Sequence, residues 1–375
     1  MPRFIQQKLK GLGLSLLLLP GILLFTASTG SAWERDWQPQ RTWVFIVGTL
    51  KWKHSEMFES FPQQNRRDAQ LADFFGRQGV PSDQLVYLQD KQATTRRVRN
   101  EFSNMLSHTN EGDFLFVYFT GHGYKSDDER QTFFATYNAS ENVPGWSTES
   151  IVSDINQSFR GSRVLLTADC CYSGSLVKEA RRLNNRVSYA CLTSSLAGQL
   201  STENWTFTEA LLAGLRGRAY EDINGDGEIT LGEIADNAKE DMAFAEEQQS
   251  SFATRGDFSR NTILATAARK SSAELGNRVE VRSEGDWYRA LITDARAGKF
   301  RVHYYGFEVS DDEWVLPRQI RNSKILAGAS GEILWERQTE PATVQKFAGD
   351  VNRIHHGNDN RGSNDWISTP TTWSH

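Results

Sequence analysis

Two short, almost uninterrupted apolar runs constrain this chain most: Asp113-Phe114-Leu115-Phe116-Val117-Tyr118-Phe119 and Ser162-Arg163-Val164-Leu165-Leu166-Thr167-Ala168. Such runs lack the polar alternation of a half-exposed strand and suit strands covered on both faces, as in a parallel sheet between helical layers. A helical segment between them makes the pair two strands of a βαβ unit. In open parallel sheets, chemistry collects in the crevice beyond the carboxyl ends of the strands. At those ends stand Thr120-Gly121-His122-Gly123 and Asp169-Cys170-Cys171-Tyr172-Ser173-Gly174. His122 and Cys171 are thereby expected to meet. An imidazole beside a thiol takes its proton and makes sulfur a nucleophile. Gly121 and Gly123 permit a sharp turn and close approach to a substrate, and the amides of Gly123 and Cys171 are the expected donors to a developing oxyanion.

The two motifs resemble those of caspase-like cysteine peptidases, closer to metacaspases and their bacterial relatives than to animal caspases. The resemblance covers most of the chain: segments 43–48, 65–75, the histidine strand, 133–139, the cysteine strand, 189–195 and 207–217 follow in the family's order. It implies a doubly wound, mostly parallel α/β fold over 41–267, acyl transfer to water through a thioester, and a nucleophile two residues after the aspartate. That selects Cys171 over Cys170, which is expected to point into the sheet. The resemblance also implies an S1 pocket, for the residue preceding the cleaved bond (P1), built from Asp68, Thr120 and Asp169. Two recessed carboxylates favour a bidentate guanidinium, so cleavage is expected after Arg, then Lys, and not after Asp. Asp68 has a second reading, as a carboxylate in the first turn of a helix, favoured by the helix dipole. The chain departs from the family at Tyr172, where metacaspases often have histidine, and at Asn138, where many relatives carry aspartate.

Met1 to Lys10 is basic, 11–27 is apolar, and Gly30-Ser31-Ala32 offers small residues for cleavage, which is the pattern of a signal peptide over 1–32. The alternative is an uncleaved membrane anchor, although the stretch is short for a span and Pro20 interrupts it. A secreted or periplasmic location follows. Three cysteines are too few for a disulfide framework and leave a free thiol; Cys191, in a strand-like stretch, is expected in the core. The net charge of −5 implies no nucleic-acid surface, and Arg96, Arg97 and Arg99 read as the solvated face of a helix. The basic loop 178–186 is either a self-cleavage site or a solvated connection.

A third motif runs from Asp222 to Glu233 and fits a calcium-binding EF-hand loop, with Asp222, Asn224, Asp226, Glu228, Thr230 and Glu233 as oxygen donors and Gly227 at the sharp turn. Helical patterns flank it. Calcium is the expected cofactor, structural or activating; the other reading is a capping box between Thr230 and Glu233.

Beyond a linker at 269–276, short strands separated by turns over 276–322 predict a small all-β, SH3-like barrel. Their order resembles the Tudor-like or chromo-barrel family, in which paired aromatics cage a cationic side chain. Trp287, Tyr288, Tyr304, Phe307 and Trp314, with Tyr305, are the candidates for a cationic or peptide ligand; as core residues they would need none. From 340 to 375 the composition predicts a disordered tail. The function expected is a secreted endopeptidase acting on substrates with a basic P1 residue, with calcium either stimulating it or only stiffening the loop. Its rivals are an inactive, calcium-dependent peptide-binding module and a scaffold whose barrel carries the function.

Overall fold

The computed structural model describes residues 38–182, 187–268 and 274–321, and the backbone of two short strands near the C-terminus. The expected leader over 1–32, the tail from 340, residues 183–186 of the basic loop and most of the linker lie outside the described residues.

In chain order the elements begin β1 (Thr42–Gly48), α1 (Arg67–Arg77), β2 (Leu85–Gln89), α2 (Thr95–His108), β3 (Phe114–Thr120), β4 (Gly123–Lys125), β5 (Thr132–Phe134), β6 (Trp146–Ser147), α3 (Thr148–Ser158) and β7 (Arg163–Asp169). They continue α4 (Ser175–Ala180), β8 (Ser188–Thr193), α5 (Thr206–Leu215), β9 (Glu228–Thr230), α6 (Leu231–Glu246), β10 (Ser251–Arg255) and β11 (Ile263–Thr266). The C-terminal strands are β12 (Arg278–Ser283), β13 (Asp286–Arg296), β14 (Lys299–Tyr304), β15 (Glu313–Val315), β16 (Ile320–Arg321), β17 (Ile325–Ala327) and β18 (Ile333–Trp335).

The central sheet has six strands in the order β10-β8-β7-β3-β1-β2, parallel except for the β8–β10 pair. Both apolar runs are its middle strands, and every residue of β3 is buried. Alternate residues feed two cores, as period-2 geometry requires. Val44, Ile46, Phe116 and Tyr118 face Leu71, Phe75, Leu211 and Ile234 of α1, α5 and α6. Phe45, Val47, Val117 and Phe119 face Val98, Phe102, Ile151 and Leu176 of α2, α3 and α4. The helices follow from ordinary local signals: Thr94 and Ser147 cap α2 and α3 by accepting the amides of Arg97 and Ser150, and α2 buries Val98, Phe102, Met105 and Leu106 on one face. Arg96, Arg97 and Arg99 lie on its exposed side.

The apolar stretch Ile263–Thr266 near the end of this domain forms a strand, but not in the central sheet. β11 pairs antiparallel with β9, inside the predicted calcium loop, and β10 closes the main sheet instead. The C-terminal unit is a five-stranded antiparallel sheet, β15-β14-β13-β12-β16, curled into a half-barrel around Val279, Val281, Ala290, Ile292, Val302, Tyr304 and Val315. It stands where the small all-β barrel is expected. Among the described residues, no helix is long and apolar enough to cross a membrane.

Candidate active site

Strand register assembles the site. Gly48, Thr120 and Asp169 pair across β1, β3 and β7 as one row at the carboxyl edge. His122 and Cys171 each stand two residues further along their chains. The backbone after His122 lies directly on that of the cysteine: a Cβ at Gly123 would run into the Cys171 carbonyl oxygen. Gly121 is equally constrained, with φ of +141° and the Thr49 carbonyl 2.5 Å from where a Cβ would stand.

The His122 ring packs against Trp52, Phe61 and Phe58, with centroids 4.6, 4.4 and 5.8 Å away. Trp52 is itself anchored by its indole N–H, which donates to the Ala135 carbonyl at 2.9 Å. His122 Nε2 lies 2.8 Å from the Glu59 carbonyl. A carbonyl can only accept, so Nε2 carries the hydrogen and Nδ1 of the neutral ring keeps a lone pair. Burial lowers the imidazole pKa, against a smaller opposing effect of the Glu59 carbonyl, so the ring is neutral near pH 7.

Cys171 is half-buried, and its Sγ accepts the Ser201 N–H at 3.2 Å. Burial pushes the thiol pKa up, while the Ser201 amide and the residue's own amide work the other way. The resting pair is therefore a thiol and a neutral imidazole. Cys170 is buried, donates its amide to the Ser194 hydroxyl at 3.1 Å, and belongs to the core, as does Cys191. Tyr172 adopts φ of +57°, rare for a side chain of its size, and this turns the chain sharply after the cysteine.

The three expected S1 residues lie at one edge, in different states. Thr120 is buried at the end of β3. Asp169 is also buried, and burial pushes its carboxyl up to about 7 against the hydrogen bonds of Thr208 and Ser194. Thr208 donates to it at 2.6 Å, and Tyr118 in turn lies 2.6 Å from Thr208. Asp169 has no cationic partner among the described residues. Asp68 has one: Arg66 Nη2 reaches its Oδ2 at 2.7 Å and Arg66 Nε its Oδ1 at 3.0 Å, while the Tyr87 hydroxyl donates at 2.8 Å. Asp68 also stands in the first turn of α1, as its alternative reading held.

In the loop from Asp222 to Glu233, buried Asp222 accepts the amides of Gly225, Asp226 and Gly227 at 2.8, 3.1 and 3.0 Å. Gly225 and Gly227 take φ of +74° and +91° to make the turn. Glu233 Oε1 accepts the amides of Ile223 and Asn224, and its Oε2 those of Thr230's amide and hydroxyl. The capping box is thus in place. Among the described residues, no three His, Cys, Asp or Glu side chains are grouped to hold a metal ion. The loop's donors, Asp222, Asn224, Asp226, Thr230 and Glu233 with the strand residue Glu228, are all oxygens suited to a hard cation. Glu233 would have to exchange its amides for the ion.

Of the aromatic candidates, Tyr288, Tyr304 and Phe307 form a triangle with centroids 5.9 to 6.2 Å apart. The Tyr304 hydroxyl donates to Glu313 at 2.6 Å. Trp287 and Trp314 stack instead under the chain's own Arg321 and Arg296, at 4.2 and 5.8 Å. Tyr305 turns to the other domain and donates to Asp241. Residues that sequence reasoning did not single out include Arg66, Ser201, Thr208 and the aromatic wall around His122; only the aromatic density of 52–61 hints at that wall.

A family model described as Caspase domain matches residues 61–266, more than half of the chain. No curated protein matches. Among solved structures, protein GSU0716 from Geobacter sulfurreducens is similar at 14% identity and a TM-score of 0.43, over 62% of this chain and 99% of that one.

Proposed function

The chain belongs to the caspase-domain family, and on that premise we propose that it is an endopeptidase cleaving after basic residues, with Cys171 as nucleophile and His122 as base. One observation carries the reading: a neutral imidazole, its Nε2–H held by the Glu59 carbonyl, at the strand end next to that of a half-buried thiol. His122 Nδ1 takes the proton of Cys171 Sγ as sulfur attacks the carbonyl carbon. The amides near Gly123 and Cys171 hold the oxyanion. The imidazolium then protonates the leaving amine, leaving a thioester, and His122 next activates the water that hydrolyses it. General-base activation suits the raised thiol pKa, since little thiolate exists before substrate arrives.

In S1, Asp169 supplies the carboxylate and Thr120 the wall. A cationic P1 side chain would offset the burial that raises the Asp169 carboxyl to about 7 and would favour its ionised form. Calcium is a second part of the proposal. Held by the Asp222–Glu233 loop, it would supply only local rigidity, and no step runs through it.

The test is hydrolysis of a fluorogenic Arg peptide by wild type, Cys171→Ala and Cys170→Ala. Activity lost in Cys171→Ala and kept in Cys170→Ala is the expected result. A wild type that binds the peptide without turnover would instead support a binding module.

A further inference from the structure

Arg66 lies just before α1, with its side chain only 7% exposed. Besides its two-point contact with Asp68, its Nη1 reaches Asp90 at 2.6 Å and its Nη2 donates to the Gly48 carbonyl at 2.9 Å. Gly48 is the β1 member of the row that contains Thr120 and Asp169. The guanidinium therefore sits at the same carboxyl edge, one strand from Thr120 and two from Asp169. Gly48 needs its missing side chain, because a Cβ there would strike the Asp68 carboxylate.

Both oxygens of Asp68 are consequently engaged: Oδ1 by Arg66 Nε, and Oδ2 by Arg66 Nη2 and Tyr87. A bidentate guanidinium is also what a P1 arginine would bring. The substrate cannot add a second without expelling Arg66, and expulsion would leave that cation to find another buried partner. Asp169, held by the hydroxyls of Thr208 and Ser194 and the Thr208 amide and by no cation among the described residues, offers no such obstacle.

We infer that Arg66 sets the specificity of S1: it occupies Asp68 as an internal P1 mimic, so an incoming basic side chain is read by Asp169 alone. This rests on the S1 reading above and narrows it. A single carboxylate flanked by hydroxyls gives Arg little advantage over Lys, so the two are accepted within about threefold of each other.

The experiment compares kcat/KM for matched peptides with Arg, Lys or uncharged citrulline at P1, using the full chain as wild type, Asp68→Asn, Asp169→Asn and Arg66→Gln. The Arg-to-citrulline ratio should stay within about twofold in Asp68→Asn and fall at least about tenfold in Asp169→Asn. Arg66→Gln, which opens Asp68, should raise the Arg-to-Lys ratio about tenfold. An Asp68→Asn ratio that collapses as far as that of Asp169→Asn overturns the inference, as does an unmoved ratio in Arg66→Gln. If Arg66→Gln does not fold, Asp68→Asn decides alone, since Arg66 there keeps Asp90 and the Gly48 carbonyl. A wild type without preference for Arg over citrulline sinks the basic-P1 reading instead. In that event a gained Arg preference in Arg66→Gln still upholds the inference, and none overturns it.

Discussion

At Gly123 a single hydrogen atom stands between the proposed dyad and a displaced one. A methyl group there meets the Cys171 carbonyl, so Gly123→Ala must push the histidine and cysteine strand ends apart. Displacements of about 1 Å between reacting groups cost on the order of 10²-fold in rate. We expect Gly123→Ala to lose about that much kcat/KM while keeping a cooperative thermal transition, checked by kinetics and calorimetry on one preparation. Asp169 yields a pH prediction. Its carboxyl titrates at about 7 when the pocket is empty, and a bound P1 cation favours the ionised form. KM for an Arg peptide should therefore rise as pH falls through 7, KM for a citrulline peptide should not, and Asp169→Asn should abolish the difference. The adjacent strand ends that carry His122 and Cys171 were legible because apolar runs and glycines mark them in the sequence. Arg66 was not: its role depends on Gly48, at the end of β1, and Asp90, just after β2, which become its neighbours only when the sheet forms. Ser201 was hidden for the same reason, thirty positions from the sulfur it contacts.

Among elements, the buried strands were the most legible, since six consecutive apolar residues leave few alternatives to a middle strand. The edge was less so. β10, Ser-Phe-Ala-Thr-Arg, is half-buried throughout and shows no clean alternation, whereas the apolar β11 looks like the better sheet member yet pairs with β9. That pairing ties the Asp222–Glu233 loop to the chain's return from α6. The loop is thereby held in a turn before any ion arrives, and its amides already point at Asp222 and Glu233. Calcium binding would exchange amide partners for a divalent ion, at modest net gain. We expect millimolar calcium to raise Tm by about 3 °C, corresponding to about 1 kcal/mol, and Asp226→Ala to remove the rise. Equal Tm values in calcium and in chelator would leave the capping box as the loop's whole function.

At the scale of the molecule, the half-barrel is fastened to the caspase domain by charge. Arg278 of β12 binds Asp241 and Glu240 on α6 at 2.9 and 2.7 Å, and Arg289 of β13 binds Glu247 at 2.8 Å. Arg67 of α1 bridges Glu209 on α5 and Glu308. His303 of β14 completes the clasp between Asp312, 2.7 Å away, and Glu209, 3.6 Å away. Burial opposes a charge on this imidazole, but the two carboxylates outweigh it and hold the pKa up to about 9. The sign follows from linkage: the folded state binds the proton more tightly than the unfolded chain, whose histidines titrate near 6.5. The stabilisation is complete below about pH 6.5 and is lost as pH rises through 9, with a size on the order of 3 kcal/mol. Asp169 and the buried thiols also destabilise the fold as pH rises, so wild type alone cannot isolate the clasp. The difference from His303→Gln can. Its Tm should lie several degrees below wild type at pH 6.5, and the two should converge by about pH 9.5. Because Glu209 follows Thr208, the residue that hydrogen-bonds Asp169, the loosened clasp should also raise KM for the Arg peptide at pH 6.5. A gap in Tm that does not change with pH would mean that His303 holds the half-barrel by packing and not by its charge.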